Sequence, residues 1–221
     1  MDIEKIAPKS GLLTPELEEQ LRSVLGKLTG EAQIACVVDL SDRSSVEMAE
    51  LVRHIAGMSD KLTCQFYEPQ EAETLLPEID CSLLPVTAVL RQGQYMGIAF
   101  HGVTGGKELN SFVLALYNVA GPGQEMDKRL QKKLGKLAQK TELKIFVSLS
   151  CHHCANQVII CQQMAAHAAS IEAKMIDARL YPQVVEQYKI ERIPMTVIND
   201  REVVMGVKTV EEMYELIKSI Q

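Results

Sequence analysis

Leu143-Lys144-Ile145-Phe146-Val147-Ser148-Leu149-Ser150-Cys151-His152-His153-Cys154 decides how this chain is read. The run 143–147 predicts a short buried strand, and 154–167 predicts a helix. Two cysteines in a Cys-x-x-Cys spacing therefore sit where a strand hands over to a helix. That placement suits thiol chemistry. The thiolate is the nucleophile, and the unpaired N–H groups and positive dipole end of a helix start stabilise it. Cys154 is expected one turn into the helix, close enough to close a disulfide with Cys151. Cys151 is then the exposed attacker and Cys154 the buried resolver. For His152 and His153 two readings stand side by side. A protonated imidazole favours the thiolate and makes the disulfide a stronger oxidant; a solvated one merely fills the gap.

Downstream, 171–176 reads as a strand, 182–188 as a helix and 195–198 as a strand. A turn at Asn199-Asp200 leads to a strand at 202–205, and a helix follows at 210–220. The order β-α-β-α-β-β-α suits a mixed sheet with helical crossovers and a closing hairpin. Upstream the same order occurs. Thr14-Pro15-Glu16 opens a helix whose apolar face is Leu17, Leu21, Val24, Leu25 and Leu28. Strands are expected at 34–38, 62–67, 86–90 and 95–100, and helices at 44–58 and 108–119. The stretch 68–80 is weak and charged. Gly121-Pro122-Gly123 marks the centre, and a charged helix is expected over 125–140.

The halves are in register. Leu40-Ser41-Asp42 lies opposite Leu149-Ser150-Cys151, and Leu84-Pro85-Val86-Thr87 opposite Ile193-Pro194-Met195-Thr196; 151 minus 42 and 194 minus 85 both give 109. We read a duplication. The expected fold is α/β, two fused halves with central mixed sheets flanked by helices. Residues 1–123 form a vestigial half with Asp42 and Ser45 in place of the cysteines, and 124–221 the active half.

Composition narrows the function. Hydrophobic residues make up 47% and charged residues 24%, with net charge −6 and pI about 5.5. Nucleic acid and anionic membrane are poor partners for such a chain. No apolar run approaches the ~20 residues that span a bilayer. Met1 to Gly11 carries four charges and no apolar core, so it does not read as a secretory signal. Of the six cysteines only Cys151 and Cys154 have a motif spacing. Cytoplasmic location follows, where a Cys-x-x-Cys is more often catalytic or metal-binding than a staple. Cys36 and Cys64 read as core and Cys81 as unpaired. Cys161 reads as a small buried hydrophobe or else a third redox thiol.

The stretch 147–154, together with Ile190-Glu191-Arg192-Ile193-Pro194, resembles the N-terminal domain of the flavoprotein subunit of alkyl hydroperoxide reductase. Tyr-Ser-Leu-Ser-Cys-His-Asn-Cys is that family's usual wording. The segment 106–116, Gly-Lys-Glu-Leu-Asn-Ser-Phe-Val-Leu-Ala-Leu, is similar to its Gly-His-Glu-Phe-Thr-Ser-Leu-Val-Leu-Ala-Leu, and the resemblance covers nearly everything after Thr14. The two-half fold is similar also to archaeal protein disulfide oxidoreductases. The resemblance implies two fused thioredoxin-like folds, with a dithiol only in the second. A flavoprotein disulfide reductase using NAD(P)H reduces that dithiol, and the dithiol reduces a peroxiredoxin. Thioredoxin-like folds place a cis-proline at the position of Pro194, where it shields the sulfurs from metal while the backbone of Ile193 pairs with an extended peptide; the plain alternative is a trans proline before a strand. Many thioredoxins place a buried Asp where this chain has Ile145. In the resembled family a glutamate from the first half approaches the dithiol, and its motif position is Glu108. Glu108 would exchange the proton of Cys154 and also stabilise the start of its helix. His153 departs from the family's Asn. No Gly-x-Gly-x-x-Gly follows a strand, so FAD and NAD(P)H are expected on the partner reductase and no cofactor on this chain.

Two other readings compete. One is a general glutaredoxin-like disulfide reductase. The other is a metal or cluster site at Cys-His-His-Cys, disfavoured because four adjacent residues cannot all face one tetrahedral zinc and a second ligand pair is absent. No metal is expected.

Overall fold

The computed structural model describes residues 3–221; Met1 and Asp2 of the opening segment lie outside the described residues. Helix α1 (Pro15–Leu25) is capped by Thr14, whose side chain accepts from the Leu17 N–H. The first half continues through β1 (Ala32–Val37), α2 (Arg43–Ala56), β2 (Leu62–Tyr67), α3 (Pro69–Leu75), β3 (Val86–Arg91), β4 (Gln94–His101) and α4 (Leu109–Ala120). The second half follows with α5 (Lys128–Leu134), β5 (Thr141–Val147), α6 (Cys154–His167), β6 (Ile171–Asp177), α7 (Pro182–Tyr188), β7 (Met195–Ile198), β8 (Glu202–Met205) and α8 (Val210–Ser219).

The two expected sheets are one. All eight strands join in the order β2-β1-β3-β4-β6-β5-β7-β8. Each half contributes the same internal order, and the seam is a parallel pairing of β4 with β6, from Ile98 opposite Ala173 to His101 opposite Ile176. Gly97 makes the seam tight. Its φ is +67°, and a Cβ there would collide with the Ile171 carbonyl.

One large core covers one face and crosses the seam, with Phe100 edge-on to Phe112 at 5.3 Å and with Val158, Met164 and Ile217 buried. The other face has two smaller cores, under α3 and under α7. Between them Lys174, 5% exposed, reaches Glu142 at 2.6 Å, and Asp80 and Glu172 at 3.5 Å each. Asp80 comes from the first half, so the ion cluster ties the halves together. Tyr181 does the same, donating its hydroxyl to the Leu84 carbonyl at 2.9 Å.

The duplication holds in the backbone. Val86 pairs with His101 as Met195 pairs with Met205. Gly102 donates its N–H to the Pro85 carbonyl and Gly206 to the Pro194 carbonyl, both at 2.9 Å. Leu84–Pro85 and Ile193–Pro194 are both cis.

Three expectations are corrected. The stretch 68–80 contains α3, which lacks an apolar periodicity because only Ala72 is buried along it. The helix expected over 125–140 is only Lys128–Leu134, stopped at Gly135. Cys64 is not core; β2 is an edge strand, and Cys64 is half-buried. Among the described residues no helix is long and apolar enough to cross a membrane.

Candidate functional site

β5 ends at Val147, and the chain turns through Ser148–His153 before α6 begins at Cys154. The Cys151 N–H closes the turn on the Ser148 carbonyl at 2.8 Å. Cys154 is therefore the first helical residue rather than one turn in, and His153 occupies the N-cap position without a side-chain cap. Cys151 and Cys154 form a disulfide with Cα atoms 5.5 Å apart. Cys154 is fully buried, Cys151 half-buried, and His152 and His153 are exposed beside it.

Behind Cys154, α6 buries Val158 and Cys161 on the same face. Cys161 has its Sγ 3.4 Å from Gln157 Nε2, and burial pushes its thiol up to about 12, so it stays protonated at neutral pH. Gln157 was not singled out from the sequence. It is fully buried, donates to the Thr196 hydroxyl at 3.1 Å and accepts from the Lys208 N–H at 2.9 Å. It thereby ties the start of α6 to β7, which follows Pro194, and to the loop after β8. A lone amide on an apolar helix face was the available signal.

Pro194 is buried and Ile193 half-buried. Ile193 and Cys151 border a groove of about 330 Å³ that also includes Ser148, Ser150, Ala178 and Arg179.

Glu108 comes from the first half. It ends a short 3-10 helix, Gly106–Glu108, rather than opening the following helix, which starts at Leu109. This turn lies on the cysteine loop. The Lys107 N–H donates to the Leu149 carbonyl at 3.3 Å, and a Cβ on Gly106, φ +57°, would sit 3.0 Å from that oxygen. Glu108 is fully buried. Oε2 lies 2.7 Å from the Ser111 hydroxyl, which is equally close to the Glu108 backbone carbonyl; Oε1 has no partner. Burial raises its pKa to about 7, the Ser111 hydrogen bond lowers it, and the nearby Asp177 carboxylate adds to the rise. Asp177, at the end of β6, is itself raised by burial, against the pull of the Arg179 backbone N–H and guanidinium. Asp177 was likewise not anticipated.

The comparisons agree with this geometry. Residues 141–218 match the family described as "Thioredoxin domain". The N-terminal domain of the alkyl hydroperoxide reductase AhpF from Enterococcus faecalis superposes with a TM-score of 0.86 at 33% identity, covering 92% of this chain and 99% of that one. The chain belongs to the AhpF family. It corresponds to the N-terminal domain of AhpF, as its motif wording led us to expect. The Staphylococcus aureus AhpF is 26% identical over 202 residues, 91% of this chain. This chain spans 31% to 37% of the length of the curated relatives it matches. A protein disulfide oxidoreductase from Aeropyrum pernix shares the fold, with a TM-score of 0.84 at 16% identity. Membership of the AhpF family, the thioredoxin-like fold and the closed Cys151–Cys154 disulfide make this a thiol–disulfide oxidoreductase.

Proposed function

We propose that this domain relays electron pairs in the cytoplasm, from a flavoprotein NAD(P)H-dependent reductase to the disulfide of a peroxiredoxin. The observation that carries the reading is the asymmetric disulfide, with Cys151 accessible and Cys154 fully buried. In the reduced state the Cys151 thiolate bonds to one sulfur of the partner disulfide. That S–S bond breaks, and the far sulfur leaves as a thiolate that takes up a proton. Cys154 then bonds to Cys151, releasing the second partner thiol and closing the disulfide. Two electrons pass to the partner, and the reductase must supply two to reopen Cys151–Cys154. Flavin and nicotinamide belong to that reductase; no Gly-x-Gly-x-x-Gly occurs in this chain.

The other residues take defined roles in this proposal. Glu108, with a pKa near 7, accepts the proton of Cys154 before it attacks and returns it on reduction. The Ile193 backbone pairs with an extended partner segment, Pro194 orders that loop against the sulfurs, and His152 and His153 touch the partner from the other side. Division at Gly123 then leaves residues 1–123 as the supporting half and 124–221 as the reacting half.

The test is stopped-flow reduction by a flavoprotein disulfide reductase with NAD(P)H, followed by addition of a peroxiredoxin, for wild type, C151S and C154S. Only wild type should turn over. C154S should trap a mixed disulfide with the peroxiredoxin and C151S none. Trapping through Cys154 instead would reverse the assignment.

A further inference from the structure

We infer that the groove beside Cys151 selects disulfides flanked by acidic residues, read by Arg179 and Arg192. The inference rests on the oxidoreductase reading and names the substrate class of that same site. Ala178, Val185, Ile190 and Ile193 give the groove an apolar lining, and Cys151 stands at its edge. Arg179 follows the end of β6, Arg192 precedes Ile193, and both are exposed. Among the described residues neither guanidinium makes an ion pair or side-chain hydrogen bond within the chain. Arg179 acts electrostatically on Asp177, and among the described residues Glu191 is the one acid lining the groove. The chain carries a net −6, yet the groove that Cys151 borders is lined by two arginines against one acid.

The duplication supplies an internal comparison. The first half has a groove of about 530 Å³ at the corresponding strand ends, lined in part by Lys5, Asp39, Ser41 and Glu68. At the common offset Asp39 stands for Ser148, Glu68 for Asp177 and Leu83 for Arg192, whereas Pro69-Gln70 opens α3 as Pro182-Gln183 opens α7, so the turn that carries Arg179 before α7 has no counterpart before α3. The first half's groove has one lysine, Lys5, and no arginine, whereas the groove beside Cys151 has two arginines. Fold alone does not demand a guanidinium before the cis-proline, since the first half makes the same turn with Leu83 in place of Arg192. Arginine forks suit carboxylates, and rim charges act mainly on the association rate.

The test uses the full chain, reduced with dithiothreitol and desalted. Two synthetic peptide disulfides serve as oxidants, identical except that Glu or Lys flanks the cysteines. Bimolecular rates are measured by stopped flow at low salt and near ~0.15 M salt. The acidic peptide should react about tenfold faster at low salt, equivalent to 1.4 kcal/mol, and the preference should shrink with salt. The charge-reversed double variant R179E/R192E should prefer the Lys peptide. Equal wild-type rates for the two peptides, or a preference unmoved in R179E/R192E, overturn the selectivity and leave the oxidoreductase reading intact. Failure of both peptides to oxidise the reduced protein overturns both.

Discussion

Replacing Glu108 by Gln should make the oxidised protein more stable at high pH and slower as a catalyst. Glu108 is fully buried, one carboxylate oxygen is unpartnered, and its pKa rises from 4.5 to about 7. At 1.36 kcal/mol per unit, that shift costs about 3 kcal/mol of stability once the group is charged. The folded state binds this proton more tightly than the unfolded one. Between pH ~4.5 and ~7 stability therefore falls as pH rises, below that window nothing is lost, and above it the full cost applies. Gln keeps an acceptor for the Ser111 hydroxyl and never charges. E108Q should thus match wild type near pH 4.5 and exceed it at pH 8, by about 1 M in the urea midpoint for an m-value of 2–3 kcal/mol/M. Urea unfolding at the two pH values, followed by far-ultraviolet circular dichroism, reads this directly. Disulfide exchange at pH 7 should slow by about 10² if the carboxyl moves the proton of Cys154. A Gln variant whose stability relative to wild type is the same at both pH values would refute the burial argument. Unchanged exchange rates would remove the proton-transfer role and leave a buried acid with no function to offset its cost.

Two further substitutions test how the site is held. K174M removes the cation from between Asp80, Glu142 and Glu172 at the seam; it should cost about 3 kcal/mol and lower Tm by roughly 6–12 °C, read by calorimetry, and an unchanged Tm would show that the cluster does not join the halves. Q157L leaves the Lys208 N–H and the Thr196 hydroxyl without their partner; it should cost about 2 kcal/mol in urea unfolding and broaden the backbone resonances of 206–209, whereas a neutral effect would mean water replaces the amide.

Much of this molecule is legible in its sequence, for reasons that differ by element. α6, α7, β7 and β8 lie where the sequence places them: β7 is an apolar run between Pro194 and the Asn199-Asp200 turn, Gly206 ends β8, Pro182 opens α7, and α6 starts at the cysteine pair. The cysteine pair and the proline after Ile193 carry the fold by spacing alone. What escapes is non-local. The parallel seam joins β4 to β6, strands separated by three helices and β5, and nothing in either strand names the other. α3 escapes because charged and polar residues fill 70–74 apart from Ala72, whereas α7 has Val184 and Val185 after its proline. The burial of Glu108 escapes because a charged residue between Lys107 and Leu109 reads as a helix-start acid, and its turn packs against the cysteine loop only through a contact between the halves.

That seam changes what the first half is for. It has Asp42 and Ser45 where the second half has its cysteines, and Asp42 merely caps α2 by accepting from the Ser45 N–H. Yet it differs from a bare structural copy at one place. After the equivalent glycines, Gly102 and Gly206, the second half reaches α8 through Thr209, while the first half runs on through Glu108 before α4 begins. The additional residues are the ones that meet the cysteine loop: Gly106 packs under the Leu149 carbonyl, Lys107 donates to it, and Glu108 places its carboxyl in the core behind. A half kept only to widen the sheet would need the β4–β6 pairing and the shared core, not a longer loop that buries an acid at a cost of about 3 kcal/mol. The two copies thus differ in what they bring to the site: one has the sulfurs and the arginine-lined groove, and the other, without cysteines, extends a loop that packs on the cysteine loop and buries a titratable group, whose proposed share in the reaction E108Q tests.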